Sequence, residues 1–439
     1  MEQTPKANRV HIGFFGRCNA GKSTLINMLT DQPVSLVSDV AGTTTDPVSK
    51  SMEILPLGPV VITDTAGIDD TTELGALRME KTEEVVKKIN LAVYVLRTDE
   101  EPTSDDMHWL GLLKQNNVPI ALFINEINDI NEINTENKEK VELNTANTDK
   151  VELNTADKEK LESNTSAYIK SHKGLSNLAT VIGSADFTSN TKRIELLDLL
   201  GGLTPLDVEG EQTLLQDLVE EGDAIILVCP IDSAAPKGRL ILPQVQTIRE
   251  ILDYKGLALV CQTEELPSMI NSLTHPPKMV ICDSQAFDRV DELTPHTIPL
   301  TSFSILMARF KGKLQDLVAG VNAIKNLKPG SKVLISEGCT HRRQCDDIGT
   351  VKIPNLLKKQ GHTDLQLEFT SGGAFPKDVS QYDLIIHCGA CMLTRREVLR
   401  RIECAVVQGT PIVNYGVLIA ALHGILERAI SPFIDEIKG

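Results

Sequence analysis

The sequence predicts an α/β protein of three domains, each built around a largely parallel β-sheet. The chain has 439 residues, which is too many for one compact domain. Short apolar runs alternate with helical patterns along most of its length, as is typical of parallel strands joined by crossover helices. Hydrophobic residues make up 41% of the chain and charged residues 24%, the usage of an ordinary globular protein.

The predicted elements fall into three blocks, which set the expected domains at residues 1–203, 204–299 and 300–439. In the first block the predicted strands are Val10–Phe15, Val60–Thr63, Leu91–Leu96, Ile120–Ile124 and Thr180–Gly183. In the second block we predict strands at Ala224–Pro230, Leu257–Gln262 and Met279–Asp283, and helices at Pro243–Tyr254 and Leu266–Leu273. The third block begins with a long amphipathic helix over Ser302–Asn326, followed by strands at Lys332–Ser336, Leu365–Phe369, Leu384–His387 and Ile412–Asn414.

Charge and composition exclude several classes of function. Sixty acidic residues against 44 basic ones give a net charge of −16, and aromatic residues are only 4% of the chain. A nucleic-acid surface needs clustered Lys and Arg or exposed aromatic rings, so we expect no nucleic-acid partner. No apolar stretch approaches the roughly 18 residues that span a bilayer, and the first ten residues lack the apolar core of a signal peptide. Nine cysteines are too few for a secreted disulfide framework, and we expect a cytoplasmic protein without a membrane partner.

A low-complexity segment at about residues 129–169 belongs to none of the three blocks. From residue 140 it repeats a ten-residue unit with decay, reading KVELNTANTD, KVELNTADKE and KLESNTSAYI. The segment is acidic, rich in Asn and Thr and poor in aromatic residues, so it cannot bury enough apolar surface to fold by itself. We interpret it as a replication-slippage insertion in a surface loop, with a dedicated interaction segment as the alternative.

A phosphate-binding loop lies at residues 16–23, which read GRCNAGKS and match G-x-x-x-x-G-K-S/T. The loop joins the predicted strand VHIGFF to the predicted helix STLINML, and its glycines let backbone N–H groups point inward at phosphate oxygens. In such a loop Lys22 reaches the β- and γ-phosphates and the Ser23 hydroxyl binds Mg²⁺. The predicted nucleotide ligands are Gly16, Asn19, Ala20, Gly21, Lys22, Ser23 and Thr24.

Two short motifs downstream of this loop add further candidate ligands. Asp64-Thr-Ala-Gly67 ends the strand VVIT, which places a carboxylate near Mg²⁺ and a glycine N–H near the γ-phosphate. Residues 41–46 read AGTTTD and lie between a helix and a strand, where a threonine can complete the metal shell. The alternative for the threonine run is an ordinary polar loop.

In their order and spacing, these motifs resemble the Era/TrmE-like branch of GTPases. The resemblance implies that the nucleotide is GTP and that Thr44 binds magnesium. It also implies four catalytic residues, Lys22, Thr44, Asp64 and Gly67. Asn19 matches the asparagine that binds K⁺ in potassium-stimulated members, where the cation stabilises developing charge. The chain departs from the family after Gly67, where no glutamine is present to position the attacking water.

The base-recognition motif also departs from the resemblance. These GTPases carry N-K-x-D after the fifth strand, whereas this chain has Asn125, Glu126 and Asn128 at the first, second and fourth positions. An asparagine cannot accept hydrogen bonds from both guanine donors as a carboxylate does. Ser184 and Ala185 match the later S-A element, whose backbone contacts the guanine oxygen. We therefore expect guanine specificity that is weakened but not lost.

A set of cysteines and histidines stands near two strand ends of the third block. Cys339-Thr-His341 follows the stretch KVLISEG, and in His387-Cys388-Gly-Ala-Cys391 the histidine ends the strand LIIH and the cysteines follow it. Strand ends are where open α/β folds build their sites, and the thiols can hold either a zinc ion or a [4Fe–4S] cluster with three thiolate ligands. The two histidines, His341 and His387, are candidates either to bind the metal or to donate hydrogen bonds to its ligands. The alternative is that they only orient the backbone of the loops. Of the other six cysteines, Cys345 is expected to be a bystander. The remaining five lie in or beside apolar runs, and we expect them to be core residues: Cys18, Cys229, Cys261, Cys282 and Cys404.

The combination of a P-loop domain, a middle domain and a C-x-H…H-C-x-x-C domain resembles the HydF family of [FeFe]-hydrogenase maturation. The stretches PIDSAAPKGRLILPQVQTIRE, EGCTHRRQCDDIGTVKIPN and NYGVLIAALHGILERAI carry this resemblance outside the ligand motifs. It implies a GTPase domain, a middle dimerisation domain and a C-terminal domain whose [4Fe–4S] cluster is held by Cys339, Cys388 and Cys391. It also implies that two radical-SAM maturases supply a diiron precursor, which the homodimer passes to apo-[FeFe]-hydrogenase.

Two other interpretations stay open at the level of the sequence. The first is an RNA-associated GTPase of the Era/TrmE type, whose Cys/His set is a structural zinc site. The second is a degenerate GTPase that serves only as a dimeric assembly platform. The acidic balance of the chain counts against the first of these.

Overall fold

A computed structural model gives the architecture of the chain. It describes residues 9–31, 48–54, 57–65, 73–126, 168–187, 192–203, 213–215, 217–231, 240–338, 347–372 and 374–438. The chain divides into two compact units, Met1–Val208 and Glu209–Gly439. Several predicted features lie outside the described residues: the ten-residue repeats as far as residue 167, and the site residues Thr44, Gly67, Asn128, Cys339 and His341.

The first unit contains a six-stranded sheet in the order β2-β3-β1-β4-β5-β6. Its strands are β1 (Val10–Phe15), β2 (Val48–Ile54), β3 (Gly58–Asp64), β4 (Leu91–Arg97), β5 (Ile120–Asn125) and β6 (Val181–Ala185). Its helices are α1 (Lys22–Thr30), α2 (Glu73–Lys88), α3 (Ser104–Gln115), α4 (Lys173–Leu178) and α5 (Arg193–Leu203). Only the pair of β2 with β3 is antiparallel within this sheet, and the parallel α/β prediction is confirmed.

The strand β2 was not predicted from the sequence. It reads VSKSMEI, and it forms one edge of the sheet. Edge strands often carry charged residues, which make them look like loops in a search for apolar runs. The parallel strands inside the sheet, by contrast, consist almost entirely of apolar residues, because both faces of the sheet are covered. Phe14 and Phe15 of β1, for example, belong to two different core clusters on opposite faces.

The second unit contains two four-stranded parallel sheets. The first has the order β10-β9-β7-β8, with β7 (Ala224–Val228), β8 (Leu257–Cys261), β9 (Met279–Cys282) and β10 (Leu300–Ser302). Its helices are α6 (Leu242–Asp253), α7 (Leu266–Asn271), α8 (Phe287–Leu293) and α9 (Phe303–Lys311), with a 3₁₀ turn at Ser284–Ala286. Because β10 pairs in parallel with β9, this sheet continues past the predicted domain boundary at residue 299.

The second of these sheets has the order β12-β11-β13-β14. Its strands are β11 (Lys332–Glu337), β12 (Gln366–Ser371), β13 (Leu384–His387) and β14 (Ile412–Asn414). The helical elements are α10 (Leu314–Ala319), a 3₁₀ helix (Gly320–Asn326), a π-helix (Ile348–Lys352), α11 (Ile353–Lys359), α12 (Arg395–Val407), α13 (Tyr415–Leu422), α14 (Leu426–Ile430), a 3₁₀ turn (Ser431–Phe433) and α15 (Ile434–Lys438). No helix in the described ranges is both long and apolar enough to cross a bilayer.

The prediction of one long helix over Ser302–Asn326 is wrong. Helix α9 ends at Lys311, because Gly312 adopts an extended conformation with φ −119° and ψ −156°. A Cβ at Gly312 would lie 2.8 Å from the carbonyl oxygen of Ala308, which only glycine avoids. The chain then continues as α10 and a 3₁₀ helix that begins at Gly320, where a Cβ would lie 2.2 Å from the oxygen of Ile412. Both breaks reflect close backbone approaches that helical periodicity does not reveal.

The two sheets of the second unit share one topology. In each, the second strand pairs on one side of the first strand, the third pairs on its other side, and the fourth lies beyond the third. Each fourth strand ends in a residue that caps the following helix. The Ser302 hydroxyl accepts a hydrogen bond from the N–H of Ile305 at 3.3 Å, and the side-chain Oδ1 of Asn414 accepts one from the N–H of Val417 at 2.8 Å. Open α/β sheets bind ligands between their first and third strands in this arrangement, at the carboxyl ends.

Candidate functional site

The phosphate-binding loop joins β1 to α1 and has the backbone that an anion cradle needs. Gly16, Asn19 and Gly21 have positive φ angles of 138°, 62° and 100°. A Cβ at Gly16 would lie 2.6 Å from the oxygen of Val95, and one at Gly21 would lie 2.6 Å from the side-chain nitrogen of Asn125. Both glycines are therefore required by the fold of the loop, and the sequence motif and the three-dimensional loop coincide.

Lys22 begins α1 and bends back over the loop. Its Nζ donates to the carbonyl oxygens of Gly16 at 2.9 Å and Arg17 at 2.8 Å, and the side chain is buried. Ser23 and Thr24 follow it and are exposed in the first helical turn. An ammonium group held over a phosphate loop by weak carbonyl acceptors can exchange them for phosphate oxygens.

Asp64 ends β3 beside this loop, paired in register with Phe14 of β1. Its Oδ1 atom is buried, and it has no hydrogen-bond partner among the described residues. Burial raises the pKa of this carboxyl group, and the positive charge of Lys22 opposes that shift. A buried carboxylate oxygen that has no donor suits a hydrated divalent cation, so Ser23 and Asp64 fit the Mg²⁺ that a P-loop nucleotide brings with it.

Asn125 ends β5 and ties together the elements expected around the base. Its Nδ2 donates to the oxygen of Ala20 at 3.2 Å, while its Oδ1 accepts from the N–H of Phe187 at 3.5 Å. Asn125 also pairs in register with Ala185 of the S-A element. The structure thus brings the phosphate loop, Asn125 and the S-A element together, whereas Asn128 lies outside the described residues.

The buried Glu126 stands where the family has a lysine. Its N–H donates to the oxygen of Ala185 at 3.0 Å, and its carboxylate lies 3.6 Å from the Nζ of Lys192. The charge of Lys192 compensates the buried carboxylate, so Glu126 has a structural role at the end of β5.

Two arginines near the loop were missed by the sequence analysis. Arg17 forms ion pairs with Glu100 at 3.1 Å and with Asp106 at 3.3 Å. Arg97 ends β4, and its Nη1 donates to the oxygen of Asn19 at 3.2 Å. The sequence did not indicate either role, because arginine side chains are mostly exposed to solvent and the partners of Arg17 and Arg97 are about 80 residues away.

The second candidate site lies at the carboxyl ends of β11 and β13, between the first and third strands of their sheet. The Sγ of Cys388 accepts hydrogen bonds from the N–H groups of Gly338 at 3.0 Å and Ala390 at 3.3 Å. Ala390 has a positive φ of 56°, so the turn between Cys388 and Cys391 is held in an unusual backbone conformation. Burial raises the pKa of the Cys388 thiol to about 11, and the two N–H donors oppose this shift.

His387 is buried, and both of its ring nitrogens have partners. Nε2 lies 3.2 Å from Nη1 of Arg401, and Nδ1 lies 2.9 Å from the oxygen of Cys388. Since a guanidinium can only donate, Nε2 accepts and Nδ1 carries the proton that is donated to Cys388. Burial and the charge of Arg401 lower the pKa of His387 to about 4. This geometry favours the interpretation in which His387 orients the backbone of a cysteine.

Lys311, the last residue of α9, approaches the same turn and was also missed. Its Nζ donates to the oxygens of Leu393 at 2.7 Å, Cys391 at 2.9 Å and Ala390 at 3.3 Å. Only 2% of its surface is exposed. Burial lowers the pKa of Lys311 to about 8, while the nearby thiols of Cys391 and Cys388 act in the opposite direction.

The metal-binding capacity of this site depends on residues that the structure only partly describes. Within the described ranges, no three His, Cys, Asp or Glu side chains are placed to hold a metal ion. Cys339 and His341 are not among these residues, although Gly338, which precedes Cys339, contacts Cys388. Backbone N–H groups directed at a cysteine sulfur suit a metal-bound thiolate, so Cys388 and Cys391 fit part of an iron–sulfur ligand set.

The remaining described cysteines differ in their exposure. Cys229 and Cys282 are buried, as predicted for core residues, while Cys261 and Cys404 are partly buried. Cys18 is exposed, so its assignment to the core was wrong. It lies within the phosphate loop, directly after the apolar strand β1, and proximity to an apolar run in the sequence does not imply burial.

Comparison with known proteins adds family information for most of the chain. Residues 11–126 match the family model described as a 50S ribosome-binding GTPase. Residues 214–312 match the hydrogen maturase F dimerization domain, and residues 315–432 match the hydrogen maturase F tetramerization domain. The predicted P-loop GTPase domain is thereby confirmed, and two further segments of the chain match domains described for hydrogen maturase F.

Two curated relatives each match about a third of this chain or less. The tRNA modification GTPase MnmE of Endomicrobium trichonymphae is 33% identical over 143 residues, which are 30% of this chain and 31% of that protein. GTPase Der of Wolinella succinogenes is 38% identical over 129 residues, 29% of this chain and 27% of Der. The chain therefore spans less than a third of the length of either relative.

Among solved structures, Era of Aquifex aeolicus bound to GDP.AlF4- is similar with a TM-score of 0.33 and 17% identity, covering 57% of this chain and 91% of Era. A probable GTP-binding protein engB has a TM-score of 0.30 and 16% identity, covering 44% of this chain and 98% of engB. Scores this low support no conclusion by themselves.

Proposed function

The chain belongs to the hydrogen maturase F family, and on that premise we propose that it is a GTP-hydrolysing iron–sulfur carrier in hydrogenase maturation. One observation supports the carrier role most directly. The N–H of Gly338 lies 3.0 Å from the Sγ of Cys388, so the strand end that leads to Cys339 meets the C-x-x-C turn. The carboxyl ends of β11 and β13 thus meet where open α/β sheets bind ligands, which supports a site there.

In GTP hydrolysis we assign the phosphates to the loop that contains Gly16, Gly21 and Lys22. The N–H groups of the loop bind phosphate oxygens, and Lys22 exchanges its bonds to the carbonyls of Gly16 and Arg17 for bonds to the phosphates. Ser23, Thr44 and Asp64 would hold Mg²⁺, which neutralises charge on the β- and γ-phosphates when it is bound. The N–H of Gly67 would orient the γ-phosphate.

K⁺ as a second cation rests on Asn19 alone. The match to potassium-stimulated GTPases supports this assignment, and Asn19 is exposed on the loop. The predicted effect is a GTP hydrolysis rate that is higher in K⁺ than in Na⁺ at equal ionic strength.

The iron–sulfur part of the proposal assigns Cys339, Cys388 and Cys391 as thiolate ligands of a [4Fe–4S] cluster. Such a cluster would leave one iron without a protein thiolate, open to another group. The resemblance to the family supports the cargo: a diiron precursor that two radical-SAM maturases supply and apo-[FeFe]-hydrogenase receives. The GTPase motifs belong to the compact unit Met1–Val208 and the three cysteines to Glu209–Gly439, which supports separate binding sites for nucleotide and cluster.

The proposal is tested by anaerobic purification followed by absorption spectroscopy and metal analysis. A brown protein with a broad iron–sulfur charge-transfer band supports the carrier. A colourless protein that contains stoichiometric zinc contradicts it and would favour a structural zinc site instead.

The second unit also offers a surface for a second copy of the chain. Strand β8 is the edge of its sheet, and in the described residues it pairs only with β7. Its Leu257 and Val260 side chains are exposed by 58% and 42%, and Leu252 of the adjacent α6 is exposed by 56%. An apolar edge strand tends to pair with another strand, and it lies in the segment that matches a dimerization domain. We assign this edge to the homodimer interface.

Replacing both Leu257 and Val260 by lysine should weaken the dimer by about 100-fold or more, because two buried apolar side chains are lost on each copy and like charges are added. Size-exclusion chromatography with light scattering should show a smaller species. Ile194→Lys is the matched control, since Ile194 is exposed by 71% but lies in the first unit. Unchanged mass in the double variant would rule out this edge.

The altered base motif leads to a separate prediction. Asn128→Asp should strengthen GTP binding by roughly 1.5–3 kcal/mol, the contribution of a charge-assisted hydrogen bond, because a carboxylate accepts from both guanine donors. In the unaltered protein GTP should have little advantage over ITP. Calorimetry of GTP and ITP binding to both forms measures the effect, and equal GTP affinities would show that another residue recognises the base.

A further inference from the structure

The buried side chain of Lys311 links helix α9 to the second sheet of the second unit. The helix begins after β10, the edge strand of the first of these sheets, and ends at Lys311. The Nζ of Lys311 donates to three carbonyl oxygens, those of Ala390, Cys391 and Leu393, all in the turn that carries the cysteines of the other sheet. An ammonium group has three N–H donors, and here all three are directed at one turn.

The turn held by Lys311 is connected to the neighbouring strand end. The carbonyl of Leu393 accepts the shortest of the three bonds, and the side chain of Leu393 covers Gly338 so closely that a Cβ there would lie 2.6 Å from its Cγ. The N–H of Gly338 in turn donates to the Sγ of Cys388. Lys311 therefore fixes the C-x-x-C turn and, through Leu393, the distance between that turn and the end of β11.

The placement of α9 follows from the shared topology of the two sheets. Helices α9 and α13 follow the fourth strands of their sheets, and they touch at equivalent positions, where the N–H of Gly416 donates to the Oγ of Ser304 at 3.1 Å. Asn414, the cap of α13, also donates to the oxygen of Ser304 at 2.8 Å. These contacts anchor the start of α9, so its last residue is brought to a defined place.

We propose that Lys311 is a positioning residue for the cysteine site, by which the sheet of the dimerization segment shapes the metal-binding turn of its neighbour. The effect on metal binding rests on the proposed iron–sulfur function, whereas the contacts between Lys311 and the turn do not depend on it. Without the ammonium group, the carbonyl oxygens of Cys391 and Leu393 lose the donor that Lys311 supplies, while that of Ala390 keeps the N–H of Leu393 at 3.1 Å. The strained conformation at Ala390 is then no longer held by Lys311.

The test compares Lys311→Met with Lys313→Met, an exposed lysine two residues along the chain. In the metal-free protein, alkylation of Cys388 and Cys391 by iodoacetamide is followed by mass spectrometry, with the buried Cys282 as an internal reference. We expect Lys311→Met to raise the alkylation rates of Cys388 and Cys391 about tenfold, the factor that corresponds to one lost hydrogen bond to a charged group. Cys282 should be unaffected, and Lys313→Met should behave as the unaltered protein.

The second readout is the binding of iron. After anaerobic reconstitution with ferrous iron and sulfide, Lys311→Met should retain iron with about 10- to 100-fold lower affinity. Lys311→Gln keeps two N–H donors and should fall between the two forms; if Lys311→Met is insoluble, the Gln variant decides by the same criteria.

Two results would overturn the inference. Alkylation rates of Cys388 and Cys391 that equal those of the unaltered protein would show that Lys311 does not hold the turn. A parallel rise at Cys282 would show that it only stabilises the unit as a whole. If the unaltered protein retains no iron but the alkylation pattern changes as expected, the proposed function fails while the positioning role stands.

Discussion

Replacing Lys22 by alanine should abolish GTP hydrolysis, lowering turnover by at least about 100-fold, the usual effect of removing one preorganised donor to developing charge. In the structure the ammonium group is already held over the phosphate loop by the carbonyls of Gly16 and Arg17. Alanine leaves the loop backbone intact, since the positive φ angles belong to other residues. Phosphate release from GTP at saturating Mg²⁺ measures the effect.

The matched control is Lys88→Ala. Lys88 is an exposed lysine in the same compact unit, paired with Glu84 one helical turn away, and its loss should leave turnover unchanged. Iron loading should be normal in both variants, because the cysteines lie in the other unit. Turnover in Lys22→Ala equal to that of the unaltered protein would show that the P-loop does not act in hydrolysis.

The loss of a single predicted thiolate should remove most of the iron. Alanine at Cys339, Cys388 or Cys391 leaves two cysteines for a cubane that needs at least three, so iron retained after anaerobic reconstitution should fall to a small fraction. For Cys388 the structure gives a further reason, because its sulfur is the acceptor for the N–H groups of Gly338 and Ala390. Iron analysis and EPR spectroscopy of the reduced protein provide the measurement.

Cys404→Ala and Cys345→Ala are the controls, and both should retain iron. Cys404 lies on α12, where it interacts with Lys377 and Gln408, away from the strand ends. His387→Ala should form a cluster with an altered EPR signal, since the imidazole acts on the backbone of Cys388. Full iron in Cys388→Ala contradicts the assignment, and loss of GTP hydrolysis together with iron would indicate misfolding.

Much of the fold could be predicted because it depends on local patterns. Strands β1, β13 and β14 have the predicted bounds, and the other central strands differ by a few residues at their ends. These strands are apolar runs covered on both faces, which is the strongest signal a parallel sheet gives. The edge strand β2 and the short β10 lack that signal, the first because it carries charged residues and the second because it has only three residues.

The candidate sites likewise combine local motifs, which could be predicted, with long-range contacts, which could not. The phosphate loop could be predicted from its letters because the loop, the capping glycine and the lysine are neighbours in the chain, and the backbone conformation of the loop requires those residue types. The C-x-x-C turn is equally local. Asp64 and Asn125 were predicted as strand ends, but their burial and their contacts with the loop depend on the order of the strands.

The sequence by itself determined the α/β class, the phosphate loop and the cysteine turn, because each is specified by residues close together in the chain. Only the tertiary structure decided the break of the predicted long helix at Gly312 and the burial of Lys311. A lysine at the end of an amphipathic helix is usually solvated, and nothing nearby in the sequence indicates otherwise. Its partners lie about 80 residues further on, with Ala390 at a separation of 79, and only the packing of α9 against the other sheet brings three carbonyl groups to its ammonium group.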